Sequence, residues 1–122
     1  MKSFYSLTLV LGALVMAYWP SMTQGASCPP KNMIPLEKAR ADMNKAVAAW
    51  KNAPPAPKLE SQGGVSKWEC YNQNLLPGSA CADYAKSLFQ ELAAGNPKEI
   101  SGSCSGTSNG SKGVHLVWTK SG

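Results

Sequence analysis

The chain has 122 residues, 43% of them hydrophobic, and a formal net charge of +5. This length allows one small domain and excludes a large enzyme with several domains. The basic residues are spread along the chain without a run of adjacent Lys or Arg. This pattern argues against a nucleic-acid-binding patch, favours a basic solvated surface and leaves open a weak attraction to anionic cell surfaces.

The first residues predict a secretory signal peptide. Lys2 supplies the positive start, an apolar run extends from Phe4 to Met16, and Thr23-Gln24-Gly25 offers small residues for cleavage. The run is shorter than the ~20 residues that span a bilayer, which favours a signal over a membrane anchor. We expect residues 1–25 to be removed, so that 97 of the 122 residues (26–122) form one secreted domain with a net charge of +4 after loss of Lys2.

The secreted part begins with an extended segment and a helix. The Pro29-Pro30 pair forbids a helix there. Pro35 suits the first helical position, and apolar residues recur at helical spacing up to Trp50, which predicts a helix over Pro35–Lys51. The following residues, 52–64, contain three prolines and end in two glycines. They predict a stiff connecting loop, although a P-x-x-P ligand for an aromatic groove is an alternative.

The stretch from Trp68 to Cys104 organises the rest of the chain. Alternating residues predict a strand over Val65–Tyr71, with Trp68 and Cys70 pointing inward. A Pro-Gly turn then delivers Ser79 as the N-cap of a second helix, Ser79–Ala94, which carries one continuous apolar face.

The last segment predicts a hairpin of Ile100–Gly106 and Val114–Thr119, with the core face formed by Val114, Leu116 and Trp118. Asn109-Gly110 favours a tight turn and Asn109-Gly110-Ser111 is also an N-glycosylation sequon. A two-residue turn would pair Cys104 with His115 on the wrong face, so we expect a longer loop or a bulge.

These elements predict an α+β fold in which two helices pack on a three- or four-stranded antiparallel sheet and two disulfides staple the domain. Trp50, Trp68 and Trp118 lie on three different elements, and we expect at least two of them to fill a shared core. An exposed tryptophan would instead indicate a carbohydrate or protein interface.

Four cysteines in a secreted chain of this size predict two disulfides. The cysteines Cys28, Cys70, Cys81 and Cys104 lack a C-x-x-C pair, so their spacing argues against zinc. Three pairings are possible. We favour Cys28–Cys81 with Cys70–Cys104, because the second bridge would join two strands that flank one helix.

The sequence contains no catalytic, cofactor or metal-binding motif, so we expect no enzyme activity, no cofactor and no metal. The one arrangement worth testing is ribonuclease-like: His115 and Glu69 on neighbouring strands as acid and base, with Arg40 or a lysine holding phosphate. A strand histidine is more often a polar sheet residue.

The layout, with its W-E-C-Y element at Trp68–Tyr71, resembles the small secreted cysteine-containing effector proteins of plant-pathogenic fungi. Some of those, and the related killer toxins, fold as two helices on a small antiparallel sheet. The resemblance implies a protein that acts in the host apoplast or the host cell by binding a host component. We therefore expect a monomeric, non-enzymatic effector that binds a host protein or cell-surface component and modulates host defence. The alternatives are a killer-type or antimicrobial toxin and a ribonuclease.

Overall fold

The computed structural model describes residues 26–122; the predicted signal peptide lies outside the described residues. The elements in chain order are β1 (Ala26–Ser27), β2 (Ile34–Pro35), α1 (Leu36–Trp50), β3 (Lys58–Gln62), β4 (Ser66–Tyr71), α2 (Gly78–Ala93), β5 (Glu99–Ile100), β6 (Ser103–Thr107), a 3-10 helix (Gly110–Lys112) and β7 (His115–Lys120). Five strands form an antiparallel sheet in the order β1-β6-β7-β4-β3, and β2 pairs with β5 in a second sheet.

The α+β class and both helices are confirmed, and the helix boundaries agree with the prediction to within one residue. The start of α2 differs for a physical reason. The helix begins at Gly78 rather than after a Ser79 cap, because its N-terminus lies against the end of α1. A Cβ atom at Gly78 would collide with the carbonyl oxygens of Trp50 and Ala53.

The prediction of three or four strands is wrong, because the main sheet has five and a second sheet has two. One missed strand, β3, lies inside the predicted loop 52–64. Its sequence K-L-E-S-Q contains no β-branched or aromatic residue, so local propensity does not identify it. Pairing with β4 through the Gly63-Gly64 turn forms it instead.

Helix α1 covers the open edge of β3. Lys45 Nζ donates a 2.7 Å hydrogen bond to the carbonyl oxygen of Gln62, and Trp50 Nε1 donates to that of Glu60 at 3.4 Å. Both carbonyl groups point away from β4, toward the side of β3 on which an added strand could otherwise pair. These side chains therefore protect the edge from pairing with another chain.

Asp42 fixes the turn between β3 and β4. Its carboxylate is 5% exposed and accepts hydrogen bonds from the backbone N–H groups of Gly64 (2.8 Å) and Val65 (3.0 Å) and from the Ser66 hydroxyl (2.7 Å). A Cβ at Gly63 would collide with this carboxylate. A charged side chain of α1 thus ties the hairpin to the helix layer.

The core lies between the helices and the inner face of the main sheet. All three predicted tryptophans are buried, with exposures of 2% for Trp50, 0% for Trp68 and 1% for Trp118. Trp68 and Trp118 face each other across β4 and β7, and their rings stack with centroids 4.5 Å apart. The prediction that at least two tryptophans fill the core is confirmed.

The predicted core face of the last hairpin is also confirmed, because Val114, Leu116 and Trp118 are at most 1% exposed. Cys104 pairs with Trp118 rather than with His115, whose partner is Thr107. Residues 108–114, including the 3-10 helix, form the longer loop that this register requires.

All four cysteines form disulfides, but the favoured pairing is wrong: the bridges are Cys28–Cys104 and Cys70–Cys81. Cys70 and Cys104 lie on β4 and β6, which are separated by β7. Cys28 follows β1, which pairs with β6 and brings Cys28 and Cys104 to a Cα–Cα distance of 4.3 Å. Cys70 lies on the inner face of β4, beneath the first turns of α2.

The two bridges close loops of different length. Cys28–Cys104 spans a sequence separation of 76 and Cys70–Cys81 one of 11. The chain-entropy relation gives about 4.5 kcal/mol for the first and about 3 kcal/mol for the second. A domain with so small a core benefits from both contributions.

We predict that Asp42→Asn lowers the free energy of unfolding by roughly 2–3 kcal/mol, because the amide turns a donor toward N–H groups that need an acceptor. Chemical denaturation of the oxidised protein measures this change. The exposed Asp83 on α2 offers a control, and Asp83→Asn should stay within about 0.5 kcal/mol of the wild type. Equal stability of both variants would contradict the role assigned to Asp42.

Candidate functional site

The outer face of the main sheet carries two of the three residues of the ribonuclease hypothesis. Trp68 and Cys70 of β4 are buried, so alternation places Glu69 and Tyr71 on the opposite, solvent face. His115 pairs with Tyr71 across β4 and β7. Glu69 and His115 are therefore diagonal neighbours on adjacent strands, as the ribonuclease hypothesis requires.

Other groups already engage both side chains. The Glu69 carboxylate lies 3.1 Å from Lys58 Nζ and 3.7 Å from Lys67 Nζ. His115 Nδ1 lies 2.9 Å from the Thr107 hydroxyl oxygen, and its ring is tilted against Tyr71 with centroids 6.2 Å apart. The histidine therefore has an ordinary cross-strand environment.

Lys58, Glu60, Lys67 and Glu69 form a neutral charge cluster across β3 and β4. Hydrogen bonds to Glu69 and then to Glu60 raise the pKa of Lys58 above its usual range. The hydrogen bond from Lys58, followed by that from Lys67, lowers the pKa of Glu60. The charges of the four groups therefore balance, and Glu69 is engaged by two lysines.

Arg40 lies elsewhere. It is on α1 in the helix layer, where its Nε is 3.1 Å from the Glu37 carboxylate and its guanidinium lies 5.3 Å from the centre of the Phe89 ring. The sheet separates Arg40 from the face that carries His115. Arg40 therefore cannot serve as the phosphate-binding group beside His115 and Glu69. The lysines of that face, the other group the hypothesis offers, are Lys58 and Lys67, and both are paired with carboxylates.

A different surface forms where two loops meet, which we call the loop end: residues 72–77, between β4 and α2, and residues 108–114, between β6 and β7. Asn74 Nδ2 joins them by donating to the carbonyl oxygens of Ser111 (2.9 Å) and Gly113 (3.3 Å). The two loops therefore behave as one structural unit.

A cleft lies on each side of this contact. The sheet-side cleft, of about 300 Å³, is lined by Tyr71, Gln73, Asn74, Thr107, Gly110, Ser111, Gly113 and His115. The helix-side cleft, of about 310 Å³, is lined by Leu76, Ala80, Asp83, Tyr84, Ser87, Ser108 and Asn109. Each loop contributes residues to both clefts.

The loop end is almost free of charge. Residues 71–82 and 100–111 contain no Asp, Glu, Lys or Arg, although such residues make up 16% of the whole chain. Tyr, Asn, Gln, Ser, Thr and Gly make up half of the first stretch and most of the second. This composition is typical of protein-binding loops, in which charged residues are depleted and small polar and aromatic residues adapt to a partner.

Leu75 is the most exposed large hydrophobic residue of the described chain, at 55%, and its backbone is left-handed with φ 51°. The other non-glycine residues with positive φ among residues 26–122 are asparagines (Asn32, Asn96 and Asn109), which tolerate this region. A leucine there costs roughly 1–2 kcal/mol. Both its exposure and its backbone conformation are unfavourable on local grounds.

Asn72 holds Leu75 in this conformation. The Asn72 side chain is fully buried, donates to the Leu76 carbonyl oxygen at 2.7 Å and accepts from the Leu76 N–H at 2.9 Å. The Leu75 N–H donates to the Asn72 carbonyl oxygen at 3.0 Å. The Cys70–Cys81 bridge closes the segment that contains this loop. Leu75 therefore projects into solvent from a loop that is held in one conformation.

Sequence reasoning treated this segment only as a turn and missed both Asn72 and Leu75. The available signal was the uncharged stretch after β4, with two adjacent leucines before a proline. Only contacts within the fold decide that Leu76 packs inward and Leu75 points to solvent.

Comparisons with known proteins add little to this description. No protein-family model and no curated protein matches the chain, and no fungal effector family is found. A search of solved structures returns the tandem DUF26 ectodomain of a cysteine-rich receptor-like protein from Arabidopsis thaliana, at a TM-score of 0.45 and 16% identity. The match covers 77% of this chain and 47% of that ectodomain, so this chain spans about half its length.

Membrane-spanning helices and clusters of metal ligands are two other features that a chain of this kind can carry. No helix within residues 26–122 is long and apolar enough to cross a membrane. The same residues contain no group of three or more His, Cys, Asp or Glu side chains that could hold a metal ion.

We predict that Leu75→Gly leaves the free energy of unfolding unchanged or raises it by up to about 1 kcal/mol. Glycine removes the left-handed strain, and its extra freedom in the unfolded chain offsets part of the gain. Leu76→Gly is the matched control and should destabilise the protein by more than about 1 kcal/mol, because Leu76 is partly buried. Thermal unfolding compares the two. A large loss of stability in Leu75→Gly would show that the Leu75 side chain stabilises the fold by packing and does not simply project into solvent.

Proposed function

We propose that this protein is a secreted, non-enzymatic interaction protein that binds a host protein through the loop end. The observation that carries the proposal is Leu75, an exposed leucine in a strained conformation on a rigid, uncharged loop. Residues strained in this way cluster at active and ligand-binding sites, so the conformation of Leu75 supports a functional role. The two disulfides are compatible with an extracellular or other oxidising environment.

The geometry favours a protein partner over a small ligand. Leu75 projects from a loop whose neighbouring residues Asn74 and Leu76 line the two clefts. An exposed apolar side chain on such a surface matches an interface in which one anchor fills a pocket of the partner. Tyr71, 40% exposed beside the sheet-side cleft, adds an aromatic contact to the same surface. Because Asn72 and the Cys70–Cys81 bridge already fix the loop, binding would spend little conformational entropy on ordering it.

The resemblance to small secreted effectors of plant-pathogenic fungi favours a host protein in the apoplast or inside the host cell as the partner, with modulation of host defence as the outcome. The non-enzymatic part of the proposal is supported by the separation of Arg40 from His115 and by the engagement of Glu69 with two lysines.

The binding test uses the oxidised, unglycosylated wild type, Leu75→Gly and Met33→Ala as immobilised baits in extracellular fluid from a plant host. Met33 is an exposed apolar residue (37%) at the opposite end of the sheet, so it controls for nonspecific hydrophobic capture. We expect one partner that binds the wild type and Met33→Ala alike, and that binds Leu75→Gly at least about tenfold more weakly. Equal binding by Leu75→Gly would refute the site, and no retained partner would refute the function.

We also predict that the same protein neither cleaves RNA nor permeabilises anionic vesicles nor inhibits microbial growth. The assays are gel analysis of RNA, dye release at low salt and growth curves. RNA cleavage that disappears in His115→Ala would establish the ribonuclease alternative. Dye release or killing by the wild type would move the toxin hypothesis ahead of the interaction function.

A further inference from the structure

We infer that Asn109 carries an N-linked glycan and that this glycan controls access to the loop end. The sequon and its geometry support the glycan at Asn109. Control of access rests on the proposed function only in so far as the loop end is the binding surface. Separate measurements test the glycan and its effect on access.

The acceptor groups are exposed and unengaged. Asn109 lies at the start of the 3-10 helix with φ 50° and ψ 34°, and both it and Ser111 are exposed. Within residues 26–122 neither the Asn109 carboxamide nor the Ser111 hydroxyl makes a hydrogen bond, whereas Asn72 and Asn74 use theirs to hold the loops. A glycan could therefore be attached at Asn109 without removing a contact that holds the fold.

The sequence makes this position unique. Asn109-Gly110-Ser111 is the one Asn-x-Ser/Thr triplet in the 122 residues, so at most one N-glycan can be present. The donor is a lipid-pyrophosphate-linked oligosaccharide, used by a transferase in the secretory compartment. The Asn109 Nδ2 forms a bond to the sugar C1 atom and loses a proton to a base, while the bond from C1 to the pyrophosphate oxygen breaks and the lipid pyrophosphate leaves.

The position of Asn109 places the glycan over the candidate binding surface. Asn109 lines the helix-side cleft together with Leu76, while Gly110 and Ser111 line the sheet-side cleft. The loop that carries Asn109 is hydrogen-bonded to Asn74, the residue before Leu75. A bulky hydrophilic glycan attached at Asn109 would occupy the surface that a partner must contact in order to bind Leu75.

The modification is tested on the full chain secreted from a eukaryotic host. Intact mass should show one glycan, and enzymatic deglycosylation in ¹⁸O-water should leave a labelled aspartate at position 109, which separates it from spontaneous deamidation. Ser111→Ala should abolish the glycan, while Ser111→Thr retains the sequon and should keep it. An unmodified wild-type Asn109 would overturn the inference, whatever the protein binds.

Access is tested without a partner, by hydroxyl-radical footprinting of the glycosylated wild type and of Ser111→Ala. Because an N-glycan is bulky, we expect labelling of Leu75 and Tyr71 to be lower by roughly half or more in the glycosylated form. Met33, at the far end of the sheet, should be labelled equally in both. Equal labelling of Leu75 in the two forms would overturn control of access and leave the modification site standing. Neither result depends on whether a host partner is found.

Discussion

The Cys70–Cys81 bridge is the constraint on which the rest of the structure depends. It is the covalent link, within residues 26–122, between the sheet and the helix layer, since Cys28–Cys104 joins the segment after β1 to β6. Both of its cysteines are fully buried. On the same inner face of the sheet, Trp68 lies next to Cys70. Its ring stacks on that of Trp118, and the two rings fill the centre of the core. Sheet, helix and core are therefore fixed relative to one another at the same place.

This link also determines what the connecting loop can do. The segment between Cys70 and Cys81 must leave β4, reverse direction and enter α2, where Gly78 is pressed against the end of α1. Because both ends are fixed, the loop cannot relax the left-handed Leu75 by shifting its anchors. The two side-chain hydrogen bonds of Asn72, worth about 1 kcal/mol each, offset a strain of roughly 1–2 kcal/mol. The fold thus tolerates a conformation that local preference disfavours.

The features predicted correctly from sequence are those that depend on local periodicity. The apolar face of α2 and the alternation of Val114, Leu116 and Trp118 are repeated patterns, and burial follows from them directly. These patterns are sufficient to identify most of the core. The sequence also predicted that Cys104 does not pair with His115, because the tight turn that would pair them conflicts with that alternation.

The errors arose where contacts distant in sequence decide the outcome. β3 has no strand-forming composition and exists because β4 pairs with it and α1 covers its edge. The disulfide pairing follows from the two-residue strand β1, too short to leave a pattern, which aligns Cys28 with Cys104. Leu75 was missed for the same reason, since a leucine before a Pro-Gly turn is expected to be buried unless contacts elsewhere in the fold turn it outward. The candidate site of this chain therefore depends on contacts between residues distant in sequence, which periodicity does not reveal. Charged residues, by contrast, are absent from residues 72–77, and Lys112 is the one charged residue of residues 108–114. The net positive charge of the chain would then act on the rate of encounter with a partner, and the nearly uncharged loop end would decide which partner is bound.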